Sequence, residues 1–376
     1  MSAFIRKNLT FFTSNNVDLR KSPVSLPLSL HFFSTRIDPT VYDILVHKHH
    51  LPREFASQIA SELGDLKHPE TVDSMLQFLK STGFSTPQLH RVIKWRPRAL
   101  CWSLDRNIKP KITTLQDQGF SPPDIARIVS NRPSILGPSL KNQIIPSLSI
   151  IKELMGSSDG LVRAVRNCTR VLSANLGKTL VPNLEFLKGN GVSVDRIRVV
   201  FNGGYGYAFL RKPEVIRESF EKAKEMGLSV SSKTFIYGIV AIAGTTSSGG
   251  WEKRLQAFRD VGFTDVDVLT IFGKDPLVFL TSAEKLSKVT RVLIGTGKYD
   301  ISDIVRSPGA LSYSVERRYE VRVRILGVLE RKNLIENWPS LQTLYSSSDA
   351  EFCERFVSPY LDHLGDVYSP KGEMKP

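Results

Sequence analysis

An internal repeat of about 36 residues constrains the fold of this chain more than any other feature. The segment GFSTPQLHRVIKWRPRAL, beginning at Gly83, is matched 36 residues later by GFSPPDIARIVSNRPSIL, beginning at Gly119. Glycines recur at nearly the same spacing at Gly156, Gly191, Gly227, Gly262 and Gly297, with Gly295 as the alternative for the last copy. A period of this length is typical of arrays in which each unit packs on its neighbours. We number the repeats 1 to 7 by these glycines.

Each repeat carries the signals of a helix, a turn, a second helix and a short extra turn. In repeat 2, Ser121 is a suitable cap for the second helix, and Pro122 suits its first turn. In repeat 1, Ser85 and Gln88 have the spacing of a capping box. A proline 14 residues after the glycine, Pro133 in repeat 2, is expected to stop the second helix. Apolar residues between cap and proline follow helical spacing.

One such unit is too small to bury its own apolar face. We therefore predict seven or eight units stacked as an all-α solenoid, a right-handed-type superhelix of 35–36-residue helix–turn–helix repeats with short 3₁₀ turns. The predicted regions are an organellar transit peptide (1–33), an N-terminal cap (34–72), the repeats (73–330) and a C-terminal cap (331–376). The apolar run FIYGIVAIAG at 235–244 is shorter than the ~20 residues of a membrane span, so we expect a buried helix and no membrane insertion.

The N-terminal segment has the composition of an organellar targeting sequence. Residues 1–36 contain five Lys or Arg against one acid and are rich in Ser and Thr. This favours the mitochondrion, with the chloroplast as the alternative; a basic tail without a targeting role is the other interpretation. The widely spaced Cys101, Cys168 and Cys353 cannot build a disulfide framework, which fits a reducing compartment.

The glycine–proline pattern resembles that of the plant mitochondrial transcription termination factor (mTERF) family. It is carried by Gly83, Pro97 and Leu100, by Gly119, Pro133 and Leu136, and more weakly by Gly262, Pro276 and Phe279. The segments at 180–193 and 352–372 are also similar to that family. The resemblance implies paired helices with a basic concave face that binds nucleic acid in organellar gene expression. Tyr205 and Ala241 replace the proline in repeats 4 and 5, where the short turns are expected to differ.

Positive charge is concentrated in the repeats, where residues 73–330 hold 38 Lys and Arg against 23 Asp and Glu. Arg91, Arg127 and Arg163 lie 36 residues apart, about 160° from apolar positions of the same helix, so stacking should align them. Guanidinium groups match phosphate oxygens well. The candidate nucleic-acid-binding residues are Arg91, Lys94, Arg96, Arg98, Arg127, Arg132, Arg163, Arg166, Arg170, Arg306, Arg317 and Arg318. Two alternatives are solvated charges that serve solubility and pairing with acids such as Asp124 or Asp195.

Signals of catalysis or cofactor binding are weak. Residues 244–251 are Gly- and Ser-rich but lack the ending of a phosphate-binding loop, so a polar turn is the better interpretation. His47, His49 and His50 lack a fourth metal ligand. Trp95, Trp102, Tyr205 and Tyr207 are candidates for stacking on bases, although core packing is the commoner role for aromatic residues. We therefore expect no enzyme, no cofactor and no metal.

The favoured hypothesis is a monomeric protein that binds organellar DNA and/or RNA. Duplex DNA is the preferred partner, and regulation such as transcription termination is the expected role. Two alternatives remain: a single-stranded RNA binder in organellar splicing or processing, and a protein-interaction scaffold.

Overall fold

The computed structural model describes residues 39–64, 66–245 and 250–365, and these residues form helices and no strands. The predicted transit peptide, the first residues of the N-terminal cap and the end of the C-terminal cap lie outside these ranges. The chain divides into an N-terminal unit (residues up to Glu185 and Ser193–Leu210) and a C-terminal unit (Phe186–Val192 and residues from Arg211 onward). The predicted region boundaries stay predictions.

The N-terminal unit contains the first repeats, and helix α9 spans the boundary between the units. Its helices are α1 (Pro39–Asp43, continued by a π segment at Ile44–Lys48), α2 (Arg53–Leu63), α3 (Glu70–Ser81), α4 (Thr86–Trp95), α5 (Lys109–Asp117), α6 (Pro122–Asn131), α7 (Ile145–Met155), α8 (Ser158–Asn167), α9 (Leu180–Gly189) and α10 (Val194–Asn202). Short 3₁₀ turns lie at Pro97–Cys101, Pro133–Leu136, Thr169–Leu172 and Gly206–Leu210. π segments at Leu104–Ile108 and Leu140–Ile144 lead into α5 and α7.

The C-terminal unit continues the same organisation. Its helices are α11 (Pro213–Glu225), α12 (Phe235–Thr245), α13 (Gly250–Asp260), α14 (Asp265–Lys274), α15 (Ala283–Gly295), α16 (Ile301–Arg306), α17 (Glu320–Arg331), α18 (Leu341–Ser346) and α19 (Asp349–Phe356). Short 3₁₀ turns lie at Pro276–Leu280, Pro308–Ser312 and Ser358–His363, and a π segment at Val315–Tyr319 precedes α17. Second helices of successive repeats pack side by side, α4 on α6, α6 on α8 and α8 on α10 in the N-terminal unit and α14 on α16 in the C-terminal unit. The predicted all-α repeat solenoid is confirmed.

The repeat glycines reverse the chain between the paired helices. All seven adopt positive φ values, from 66° at Gly297 to 102° at Gly262. Glycine takes this left-handed conformation without the clash that a Cβ atom would cause. Gly295 is the last residue of α15, whereas Gly297 has the left-handed φ of the set. Gly297 is therefore the equivalent position, and the alternative assignment to Gly295 is wrong.

The predicted helix starts are confirmed in repeats 1 and 2, and the second helix of repeat 6 begins in the same way. Ser85 and Gln88 form a capping box, in which the Ser85 amide donates to Gln88 Oε1 at 2.8 Å. The Asp124 amide donates to Ser121 Oγ at 3.3 Å at the start of α6. Thr264 makes the same kind of cap in α14. The second helices therefore begin where local sequence signals place them.

The two repeats without the proline behave differently from each other. Repeat 4 keeps its short turn at Gly206–Leu210 although Tyr205 replaces the proline. In repeat 5, α12 continues through Ala241 to Thr245, because no proline interrupts its hydrogen bonds there. This helix contains the apolar run at 235–244 and is almost entirely buried, as predicted. In the part of the chain that the structure describes, no helix is long and apolar enough to cross a bilayer. Residues 246–249 of the predicted polar turn lie outside the described ranges.

An aromatic cluster forms the core of repeat 6. Phe279 is fully buried, and its ring centroid lies 4.5 Å from that of Phe258, 5.3 Å from Phe272 and 5.4 Å from Trp251. Phe279 holds the position that a leucine occupies in repeats 1 and 2. The larger ring fills the space between α13 and α14, so this repeat depends on aromatic packing.

Of the three clustered histidines in the N-terminal cap, only His49 is buried, whereas His47 and His50 are exposed. His49 is 4% exposed, and its Nε2 lies 2.8 Å from Asp73 Oδ1, while Lys48 Nζ donates to Asp73 Oδ2 at 2.8 Å. Burial lowers the pKa of His49, and the hydrogen bond to Asp73 opposes this only in part. Over residues 39–64, 66–245 and 250–365, no three His, Cys, Asp or Glu side chains lie close enough together to hold a metal ion.

Candidate nucleic-acid interface

The second helices of repeats 1 to 3 form a continuous polar surface through bonds that join neighbouring repeats. Arg91 Nη1 on α4 donates to Asn131 Oδ1 on α6 at 2.8 Å. Arg166 Nε on α8 lies 3.0 Å from Asp124 Oδ1 on α6. A further bond joins α8 to α10. Side chains at equivalent positions of successive repeats are therefore neighbours, as the 36-residue spacing implies.

Nine of the twelve candidate cations lie on these helices or in the turns that follow them. We call this set the basic layer. Its members are Arg91, Lys94, Arg96, Arg98, Arg127, Arg132, Arg163, Arg166 and Arg170. All of them are exposed except Arg127, which is half-buried. Over the described ranges, Arg163 makes no hydrogen bond or ion pair through its side chain, so its guanidinium is available to a ligand.

Within the basic layer, an arginine of the next repeat lies near enough to lower the pKa of Arg127 and of Arg132. Burial lowers the pKa of Arg127, and repulsion from Arg166 lowers it further against the attraction of Asp124. Burial likewise lowers the pKa of Arg132, with Arg170 of the next repeat adding repulsion. Like charges near one another favour the binding of an anion beside them.

Internal pairing with Asp124 was one of the alternatives, and the structure shows it for two members of the layer. Asp124 Oδ1 lies 3.7 Å from Arg127 Nη2 and 3.0 Å from Arg166 Nε. One carboxylate thus serves two guanidinium groups and leaves the local charge positive. Asp195 pairs with Arg198 at 3.0 Å, outside the candidate set.

The three candidates of the C-terminal unit do not form a comparable layer. Arg318 donates to the carbonyl oxygens of Tyr345 at 2.6 Å and Ser347 at 2.9 Å, and its side chain is only 17% exposed. Arg306 is exposed but pairs with Asp303. Arg317 is exposed. Because Arg318 joins the segment before α17 to the end of α18 through these bonds, we leave it out of the candidate interface.

Arg318 belongs to a recurring internal contact, which we call the clasp. In the clasp, a polar side chain at or near the start of a repeat's first helix donates to a backbone carbonyl about 25 to 31 residues later. The accepting carbonyl lies at or just beyond the short turn of the same repeat, or at the equivalent place where a short turn is replaced. The pairs are Lys111 with Leu136, Gln143 with Ala174, Asn183 with Phe209, Arg254 with Thr281, Lys285 with Ser312 and Arg318 with Tyr345. Buried carbonyls need such donors. Four of the cations counted in the sequence are thereby used inside the fold.

Two lysines on α15 allow the clasp to be tested against a surface charge on the same helix. Lys285 Nζ donates to the Ser312 carbonyl oxygen at 2.7 Å, and burial lowers its pKa, whereas Lys288 is exposed on the same helix. We expect Lys285→Met to reduce the free energy of unfolding by about 1–3 kcal/mol, because the carbonyl loses its partner. Lys288→Met should leave stability unchanged. Urea denaturation of both variants checks this; equal stabilities would contradict the clasp.

The sequence did not reveal that one aromatic residue of this surface is exposed. Trp95, the last residue of α4, is 69% exposed, so it does not pack in the core. Trp102, Tyr205 and Tyr207 are partly buried. Exposure of a single aromatic residue depends on how the helices pack, and the local pattern carries no signal for it.

Comparison with known proteins agrees with this architecture. The family model described as mTERF matches residues 31–234 and 161–353 in two overlapping segments. The search of curated proteins finds no match.

Proposed function

Since this chain belongs to the mTERF family, we propose that it binds nucleic acid in an organelle and regulates gene expression there, with duplex DNA as its target and transcription termination as the outcome. Nucleic-acid binding and organellar gene expression are the roles of the family, which is generally non-enzymatic. The choice of duplex DNA, of termination and of the mitochondrion over the chloroplast is our proposal. The composition of residues 1–33 supports the location.

The basic layer is the observation that supports binding to a polyanion. Its cations come from three adjacent repeats, and two pairs, Arg127 with Arg166 and Arg132 with Arg170, repel each other. Duplex DNA carries one negative charge per about 1.7 Å of its axis. A phosphate backbone lying along α4, α6 and α8 would relieve this repulsion and accept the guanidinium forks of the layer.

The salt dependence of binding tests the proposal. Each phosphate contact releases condensed counterions, so the plot of log affinity against log salt should have a slope near −5, corresponding to about six phosphates. The measurement is a fluorescence titration of a 20-base-pair duplex at several salt concentrations. A slope near zero would remove the phosphate-contact model and favour the protein-interaction scaffold.

A single-stranded RNA target is the second candidate, and the exposure of Trp95 among cations is the observation that favours it. Exposed aromatic rings beside a basic groove are typical of proteins that bind unpaired strands. Competition between duplex DNA and single-stranded RNA of the same sequence separates the two candidates.

A further inference from the structure

Trp95 occupies a position that the next two repeats use for contacts between repeats. The equivalent residues, 36 and 72 positions later, are Asn131 and Asn167. Asn131 accepts a hydrogen bond from Arg91 of repeat 1, and Asn167 donates to the Asn202 carbonyl oxygen of repeat 4. Trp95 lies on the same surface at the repeat 1 end of the array, but it offers an indole ring where its counterparts offer amide groups.

Exposure of the indole ring to water is energetically unfavourable. A side chain that is 69% exposed leaves most of its apolar area in water, where burial would be favourable. The other exposed large apolar side chains of this unit, Ile145 and Val199, are smaller. An isolated exposed tryptophan is thus suited to being covered by a ligand.

Exposed cations flank Trp95 in the chain. Lys94 precedes it and Arg96 follows it in the chain, and both are exposed. Arg91 lies one helical turn before it on the same face of α4, and Arg98 lies in the short turn that follows. Repeat 1 therefore carries four positive charges within four residues of the ring along the chain. A flat apolar face bounded by cations is complementary to a nucleotide, which joins a flat base to an anionic phosphate.

We propose that Trp95 is a stacking platform for an unpaired nucleobase, and that Lys94, Arg96 and Arg98 bind the phosphates beside that base. The inference rests on the proposed function and narrows its target to nucleic acid that has unpaired nucleotides next to the segment bound by the basic layer. In a continuous duplex both faces of each internal base are covered by neighbouring base pairs, so away from the duplex ends a base must be unpaired to lie on the ring. Stacking of this kind tolerates any base sequence.

The test compares three duplex probes of equal sequence: blunt, with a six-nucleotide single-stranded overhang, and with the same overhang made of abasic nucleotides. The readout is the ratio of each affinity to that for the blunt duplex. The protein should bind the overhang probe about 10-fold more tightly than the abasic probe, which has the same phosphates. Trp95→Ala should bring these two affinities together, and Trp95→Phe should restore most of the difference.

Val266→Ala is the matched control, because Val266 is 72% exposed on α14 and lies outside the basic layer. It should keep the full preference for the overhang. Equal binding of the overhang and abasic probes by the unmodified protein would overturn the stacking platform. So would a Trp95→Ala variant that keeps the preference. If no probe binds even at low salt, the proposed function itself fails, which is a distinct result.

Discussion

Replacing Arg91, Arg127 and Arg163 together with alanine should reduce the affinity for duplex DNA by about 100-fold at 0.15 M salt. Each lost phosphate contact removes about 5-fold in affinity at this salt concentration through counterion release. The slope of log affinity against log salt should become shallower by about 2 to 3. Fluorescence titration across salt concentrations measures both quantities.

The matched control removes three positive charges from elsewhere in the same unit. Lys80 on α3, Lys141 before α7 and Lys178 before α9 are exposed and lie outside the second helices. Their triple alanine variant has the same net charge as the arginine variant. It should change the salt slope by less than about 1. Similar slopes for the two variants would mean that binding depends on net charge and not on the basic layer.

The three arginines should contribute unequally. Arg163 is exposed and without a side-chain partner in the described part of the chain, so its replacement should have the largest single effect. Arg91 must give up its bond to Asn131 to reach a phosphate. Arg127 is half-buried beside Asp124 and should have the smallest effect on binding. The reverse order would indicate that Arg127 contacts the ligand directly although it is half-buried.

Phe279→Ala should destabilise the C-terminal unit by about 3–5 kcal/mol. The substitution removes a fully buried ring that contacts Phe258, Phe272 and Trp251, and the cavity adds to the lost burial. Hydrogen exchange of amides in α13 and α14 measures this effect separately from the N-terminal unit.

Val266→Ala on α14 is the control for this prediction, since Val266 is 72% exposed in the same repeat. It should leave the exchange rates unchanged or slower, because alanine favours helix more than valine does. If Phe279→Ala has as small an effect as the control, the aromatic cluster does not stabilise repeat 6.

Helix positions in this protein follow from short-range sequence signals. A cap such as Ser85 or Ser121, a glycine at the reversal and a proline such as Pro133 each act within one turn of chain, so their spacing predicts the repeat. The same signals explain repeat 5, where Ala241 lets α12 continue. Gly297 was ambiguous because Gly295 lies only two residues away, and φ at that point depends on where α15 ends.

The sequence could not show which cations reach the surface. Lys111, Lys285 and Arg163 look alike in a charge count, but two of them bind carbonyls inside their own repeats and one is exposed. Likewise, Trp95 is exposed whereas the aromatic rings of repeat 6 are buried. The periodic pattern establishes the helices and their stacking because those depend on neighbours along the chain. Whether a charged side chain is exposed or bonded inside the fold depends on groups about 25 to 40 residues away in the sequence. Those groups come into contact only when the helices pack.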